Sequence, residues 1–270
     1  MIAAALAPLP GVVIVMQFFA APRRPRLWAL GLWLSALLSL MPLGPAAAAE
    51  FTPEQRQAIE GIIRDFMQKN PEALLDALQA AKDKMEGEAH DKASAALAAR
   101  RHEVFDDPDA PVAGNPKGNA TLVEFFDYRC PYCKQVEPSL DALLSEDRQL
   151  RFVYKEFPVL GPESVSAARA ALAARKQDKY DAMHHALMAL KGQIDEAALF
   201  KVAGSVGLDV ERLKRDMAAP DIDRMLKANI NLAGALDIRG TPGFVIGNEI
   251  VPGAIGLDAL RQLIDTARGK

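Results

Sequence analysis

Cys130 and Cys133 are the only cysteines in a chain of 270 residues, and they sit two positions apart in EFFDYRCPYCKQ (124–135). Two thiols at that spacing can share a metal, close a small staple or exchange electrons with other thiols. A structural zinc site needs four ligands, and the sequence has no second cysteine pair. His184 and His185 are adjacent in a helical pattern. They should therefore point about 100° apart and not share one ion. A purely structural disulfide gains little here, because the entropic benefit of a cross-link grows with the loop it closes.

Redox chemistry fits the local design better. TLVEFFDY (121–128) reads as a central strand, and a helix opens straight after it. The Cys130 sulfur then lies beside unpaired backbone N–H groups at the positive end of a helix dipole. That setting favours the thiolate, the nucleophile of disulfide exchange. Pro131 suits the first helical position, and Cys133, one turn on, can attack a mixed disulfide formed at Cys130. The same two thiolates are soft enough to hold copper. Met183, Met188, Met217 and Met225 fall on helix faces as core residues, and no Met-x-x-Met cluster strengthens the copper alternative.

The elements that must position this pair follow from periodicity and punctuation. FTPEQRQAIEGIIRDFMQKN (51–70) starts with Thr52, Pro53 and Gln55 in capping-box order and carries one apolar stripe: Ile59, Ile62, Ile63, Phe66 and Met67. A second helix restarts at Asn70-Pro71, with Leu74, Leu78, Ala81 and Met85 at three- to four-residue steps. Beyond Met85 it is Ala- and charge-rich, too poor in large side chains to build a core alone. These helices need a partner surface, either the following domain or copies of themselves. Residues 107–119, rich in Pro, Gly and Asn, read as a linker before a domain over 120–270. Within it LRFVYKEF (150–157) is a second strand, 162–236 is helical, FVIGN and EIVPG form a hairpin, and GLDALRQLIDTAR is a closing helix.

The N-terminus has another purpose. Arg23, Arg24 and Arg26 precede the apolar run Leu27–Leu40 and a small-residue exit at Ala46–Ala49, the three regions of a secretory signal over residues 1–49. The broken apolar stretch 1–22 lies upstream of that signal and reads as an extension from a misassigned start, Met16 being an alternative initiator. Loss of 1–49 lowers the 32 basic residues to 29 against 35 acidic ones, a net of −6. An acidic chain of this kind gives no support to nucleic-acid binding. Export leads to an oxidising compartment, where a Cys130–Cys133 disulfide persists.

Strand, CPYC, helix, strand and a later GTPGFVIGN (240–248) resemble the thioredoxin fold, with Thr241-Pro242 as its cis-proline loop. CPYC is also the glutaredoxin motif, but 112 positions separate Cys130 from Pro242 and most of them are helical. This is similar to the helical insertion of the DsbA family of exported thiol-disulfide oxidoreductases, and VEFFDYRCPYC and KEFPVLGPESVSAARAA resemble that family's active-site strands. The resemblance implies an α/β thioredoxin fold with an inserted helical domain, preceded by an N-terminal α-helical segment. It makes Cys130 the attacking sulfur, Cys133 the resolving one and Glu124 a buried acid beneath them. Pro131 and Tyr132 are the intervening positions that tune potential, and the lack of a histidine there implies a less oxidising pair. Backbone at Thr241 and Pro242 would bind the client segment.

FTPEQRQAIEGIIRDFMQKNPEALLDAL resembles the N-terminal region of the ScsC-like branch, linked to copper tolerance, whose members assemble as trimers and act as disulfide isomerases. The resemblance thus implies a periplasmic oxidase or isomerase, with the 51–106 helices as an oligomerising region. Its partners would be cysteine-containing clients and a DsbB- or DsbD-like membrane redox protein. Its only redox group would be the Cys130–Cys133 disulfide, with no further cofactor and no metal.

Overall fold

The computed structural model describes residues 51–269; the signal region 1–49 lies outside the described residues. Two compact units are distinguished, with the division after Lys69. In the first, α1 (Pro53–Lys69) opens with the expected reciprocal cap. Thr52 N donates to Gln55 Oε1 (2.9 Å) and Gln55 N donates to Thr52 Oγ1 (3.2 Å). None of its residues is buried.

The second unit starts with α2 (Pro71–Ala99) and α3 (Arg101–Phe105). Leu74, Leu75, Leu78 and Met85 are exposed, whereas Ala93 and Leu97 are buried. The Ala-rich end of α2, too poor in large side chains to build a core alone, is therefore the end that joins one. Its Leu97, together with Val104 and Phe105 of α3, fits an apolar sheet face built by other residues.

That sheet has five strands in the order β1-β3-β2-β4-β5, from β1 (Val112–Gly114), β2 (Ala120–Phe126), β3 (Leu150–Glu156), β4 (Gly243–Ile246) and β5 (Glu249–Pro252). β2 runs parallel to β3 and antiparallel to β4. The expected linker 107–119 is partly sheet, since β1 pairs antiparallel with β3, Val112 opposite Val153. Three residues flanked by turn formers carry too little periodicity to be read as a strand, and the pairing comes from the exposed edge of β3.

Alternation along the central strands splits the core into two layers. Leu122, Phe126, Phe152, Tyr154, Phe244 and Ile246 face a large cluster with α4 (Pro131–Glu146), the helical insertion and α10 (Leu257–Ala267). Val123, Phe125, Val153 and Val245 face the smaller one, with Leu97, Phe105, Leu232 and Ile238. Both faces of β2 are covered, which explains its near-continuous apolar sequence. The insertion comprises α5 (Pro162–Ala174), α6 (Tyr180–Ala189), α7 (Glu196–Ser205), α8 (Val210–Met217) and α9 (Pro220–Ala235). It falls within the 162–236 block read from the sequence.

Candidate active site

The turn from β2 into α4 brings the two cysteines to one end of the sheet. Cys130 is the N-cap of α4, with extended backbone (φ −72°, ψ 117°), and Pro131 follows at the first helical position. The helix needs no proton from the Pro131 nitrogen there, and its fixed φ suits the first turn. Both cysteines are thiols; Cys130 is 4% exposed and Cys133 fully buried. Burial pushes the Cys133 thiol far above its ordinary pKa. Cys130 Sγ donates to the Thr241 carbonyl oxygen at 3.1 Å, and the Thr241–Pro242 peptide is cis. Residues 111 positions apart thus meet at one sulfur. Tyr132 is 60% exposed and points its ring away from the core.

Glu124 lies on β2 opposite Tyr154 and Phe244 and is fully buried. Neither carboxyl oxygen has a hydrogen-bond partner. Burial, followed by the charges of Glu137, Cys130 and Glu156, raises its pKa well above the usual carboxylate range, so it is held neutral. A carboxylic acid next to a buried thiol that resists ionisation is placed to give a proton when that sulfur leaves as thiolate.

Beyond the residues read from the sequence, Asp127, Tyr128, Glu156 and Tyr180 support the site. The buried Asp127 carboxylate accepts from Arg129 N (2.8 Å), the Ser164 hydroxyl (2.8 Å), Val159 N (2.9 Å) and Leu160 N (3.0 Å). It ties the loop carrying Cys130 to the loop after β3, and holds the exposed Val159 and Leu160 beside the thiol loop. Glu156, at the end of β3, accepts from the hydroxyls of Tyr128 (2.9 Å) and Tyr180 (2.8 Å) through the same oxygen. Burial raises it to about 8, against the lowering effect of those two bonds. An Asp after a strand was the available signal, but apart from Arg129 its partners lie 32 and more residues away.

His184 and His185 also depart from expectation. His184 Nε2 and His185 Nδ1 both lie 3.1 Å from Glu137 Oε1. The two side chains leave α6 in different directions, but one ring reaches with its far nitrogen and the other with its near one, so they converge. Burial pushes the Glu137 carboxyl up, but the bonds and charges of the two imidazoles together outweigh it and hold Glu137 down at about 2.

A dithiol at a helix N-terminus, beneath a cis-proline loop and beside a buried neutral acid, defines a thioredoxin-fold oxidoreductase site. The model of the DSBA-like thioredoxin domain matches residues 121–265, and the chain belongs to that family. A thioredoxin-like oxidoreductase from Silicibacter pomeroyi DSS-3 is 46% identical; the alignment covers 63% of this chain and 98% of that one, with a TM-score of 0.62. ScsC of Proteus mirabilis, in a transitional conformation, is 30% identical over 81% of this chain and 99% of its own, with a TM-score of 0.60. That similarity extends beyond the catalytic domain and supports assignment to the ScsC-like part of the family.

Among curated proteins, a Na(+)/H(+) antiporter NhaA 1 of Salinispora arenicola is 30% identical over 60% of this chain. The chain spans about 25% of the length of that relative. No helix among the described residues is long and apolar enough to cross a membrane.

Proposed function

We propose that this protein is an exported, periplasmic thiol-disulfide oxidoreductase that forms or rearranges disulfides in client proteins. The observation that carries the proposal is the pairing of Cys130, at the head of α4 and bonded to the Thr241 carbonyl, with a deeply buried Cys133 and a neutral Glu124. In the oxidising direction a client thiolate attacks Cys130 Sγ of the disulfide. A mixed disulfide forms, the Cys130–Cys133 bond breaks, and Cys133 leaves as thiolate and takes a proton from Glu124. A second client thiolate attacks the client sulfur and releases Cys130 as thiolate, so the client loses two electrons and the protein gains them. Isomerisation starts instead from the Cys130 thiolate attacking a client disulfide and returns the protein to its dithiol form. Backbone at Thr241 and Pro242 pairs with the extended client segment by strand addition, and the exposed Tyr132, Val159 and Leu160 give it an apolar rim.

Several sites on one particle would favour rearrangement through effective concentration. The exposed Ile62, Ile63 and Phe66 of α1 and Leu74, Leu75 and Leu78 of α2 support assembly of this chain with copies of itself, a trimer in this reading. A DsbB- or DsbD-like membrane protein would reset the thiols.

Oxidation of reduced ribonuclease and rescue of scrambled ribonuclease, run side by side, test the proposal. Wild type should show at least one activity, and Cys130→Ser should abolish both. A Cys130→Ser protein that kept either would overturn it. Light scattering tests assembly, and a monomeric mass would remove the multivalent route.

A further inference from the structure

We propose that Glu137, His184 and His185 bind one divalent transition-metal ion, zinc or copper(II), on the seam between α4 and α6. This site is separate from the cysteines and does not depend on the redox reading. The three side chains place one ligand atom each within 4.8 Å of one another. Metal bonds of roughly 2.1 Å in tetrahedral geometry put neighbouring ligand atoms about 3.4 Å apart. Here both imidazole nitrogens are 3.1 Å from the carboxylate oxygen, within a few tenths of an ångström of that separation, and the ligand atoms all lie within 4.8 Å of one another. Two imidazoles with one carboxylate suit zinc or copper(II) rather than calcium or magnesium.

The ring orientation supports this choice. Tyr128 donates its proton to Glu156 Oε1 and stands 3.1 Å from His184 Nδ1. In the tautomer with its hydrogen on Nδ1 toward Tyr128 Oη, the Nε2 lone pair faces the Glu137 carboxylate, an arrangement that a proton or a metal ion between them satisfies. Metal-binding histidines are oriented in this way through their second nitrogen. The simpler reading is a core histidine among Phe126, Tyr154 and Tyr180 that bridges to a carboxylate. It leaves unexplained why a second imidazole meets the same oxygen from the solvent side.

Access and charge are also suitable. His185 is 46% exposed in its side chain and borders a cavity of about 420 Å³ lined by Lys134, Glu137, Asp141 and Met188. Asp141 Oδ1, 3.7 Å from His185 Nδ1, can supply a fourth ligand directly or through water. The nearby Lys134 ammonium is committed to the carbonyls of Leu187, Met188 and Leu190. An ion here would clamp the active-site helix, one turn beyond Cys133, to the helical insertion.

The test uses the full chain with Cys130 and Cys133 both replaced by Ser and stripped by chelator, titrated with zinc by calorimetry. One zinc per chain should bind, and Tm should rise with zinc concentration as mass action requires. His185→Ala and Glu137→Gln, checked for folding by circular dichroism, should each weaken binding at least tenfold. Copper(II) in the same variant should give an axial paramagnetic resonance spectrum with nitrogen coupling. No saturable binding without the cysteines, or a folded His185→Ala variant binding as tightly as its parent, would overturn the site.

Discussion

Replacing Glu124 should stabilise the protein while slowing its chemistry. Both carboxyl oxygens are sealed in the core without a partner, and an unsatisfied buried polar group costs about 1–3 kcal/mol even when neutral. Ionisation costs more, because burial and the charges of Glu137, Cys130 and Glu156 raise the folded-state pKa well above the ordinary value. With the folded pKa raised, the folded protein holds a proton that the unfolded chain releases. The stability contributed by that proton is complete below the ordinary carboxylate pKa and is lost as pH rises towards the folded value. The slope can reach about 1.4 kcal/mol per pH unit.

Glu124→Leu removes both costs, so its gain should be about 1–3 kcal/mol near pH 4 and should widen steadily from pH 5 to 8. Glu124→Gln keeps a buried polar group and loses only the titration, so it should match wild type near pH 4 and exceed it at pH 7. Urea denaturation of the reduced proteins, followed by far-ultraviolet circular dichroism from pH 4 to 8, measures both. Glu156 titrates in the same window, so the informative quantity is the difference in slope between variant and wild type. A Glu124→Leu protein less stable than wild type at pH 7, or one with an unchanged slope, would refute the reasoning. Both variants should also release the Cys133 thiolate more slowly in stopped-flow reactions with a client dithiol.

Four further outcomes are expected. Tyr180→Phe removes one of two donors to Glu156 and should cost about 1–3 kcal/mol in urea denaturation, with the Glu156 titration moving further up from about 8. Leu97→Ala should cost about 2–5 kcal/mol because that side chain is buried against the sheet. Leu78→Asp, on the exposed part of the same helix, should leave domain stability within about 0.5 kcal/mol but lower the mass seen by light scattering. Asp127→Asn weakens bonds to a charged acceptor and should cost about 1.5–3 kcal/mol; mixed-disulfide formation at Cys130 should slow in parallel, as mass spectrometry of quenched samples would record.

Much of the architecture is legible because it rests on interactions within a few residues. The Thr52–Gln55 cap, the helix break at Asn70-Pro71, the alternation in β2 and the strand-to-helix turn holding CPYC are all written locally. The insertion shows as a long helical block between two motifs, and Glu124 is marked only by its resemblance to the family's buried acid. β1 escaped because three residues carry no period, and their pairing is decided by an edge 41 residues further along, where Val112 meets Val153.

What the sequence by itself determined is the pair of thiols, the helix that presents them and the kind of fold that can bring a distant Thr-Pro to them. Only the tertiary structure decided which groups surround that pair. Asp127 gathers amides from a loop more than thirty residues away, Leu97 finds a sheet face it does not build, and Glu137 receives two imidazoles expected to diverge. These depend on where whole elements come to rest. A histidine's reach, unlike its helical angle, is fixed only when its ring chooses the nitrogen that meets a partner from another helix.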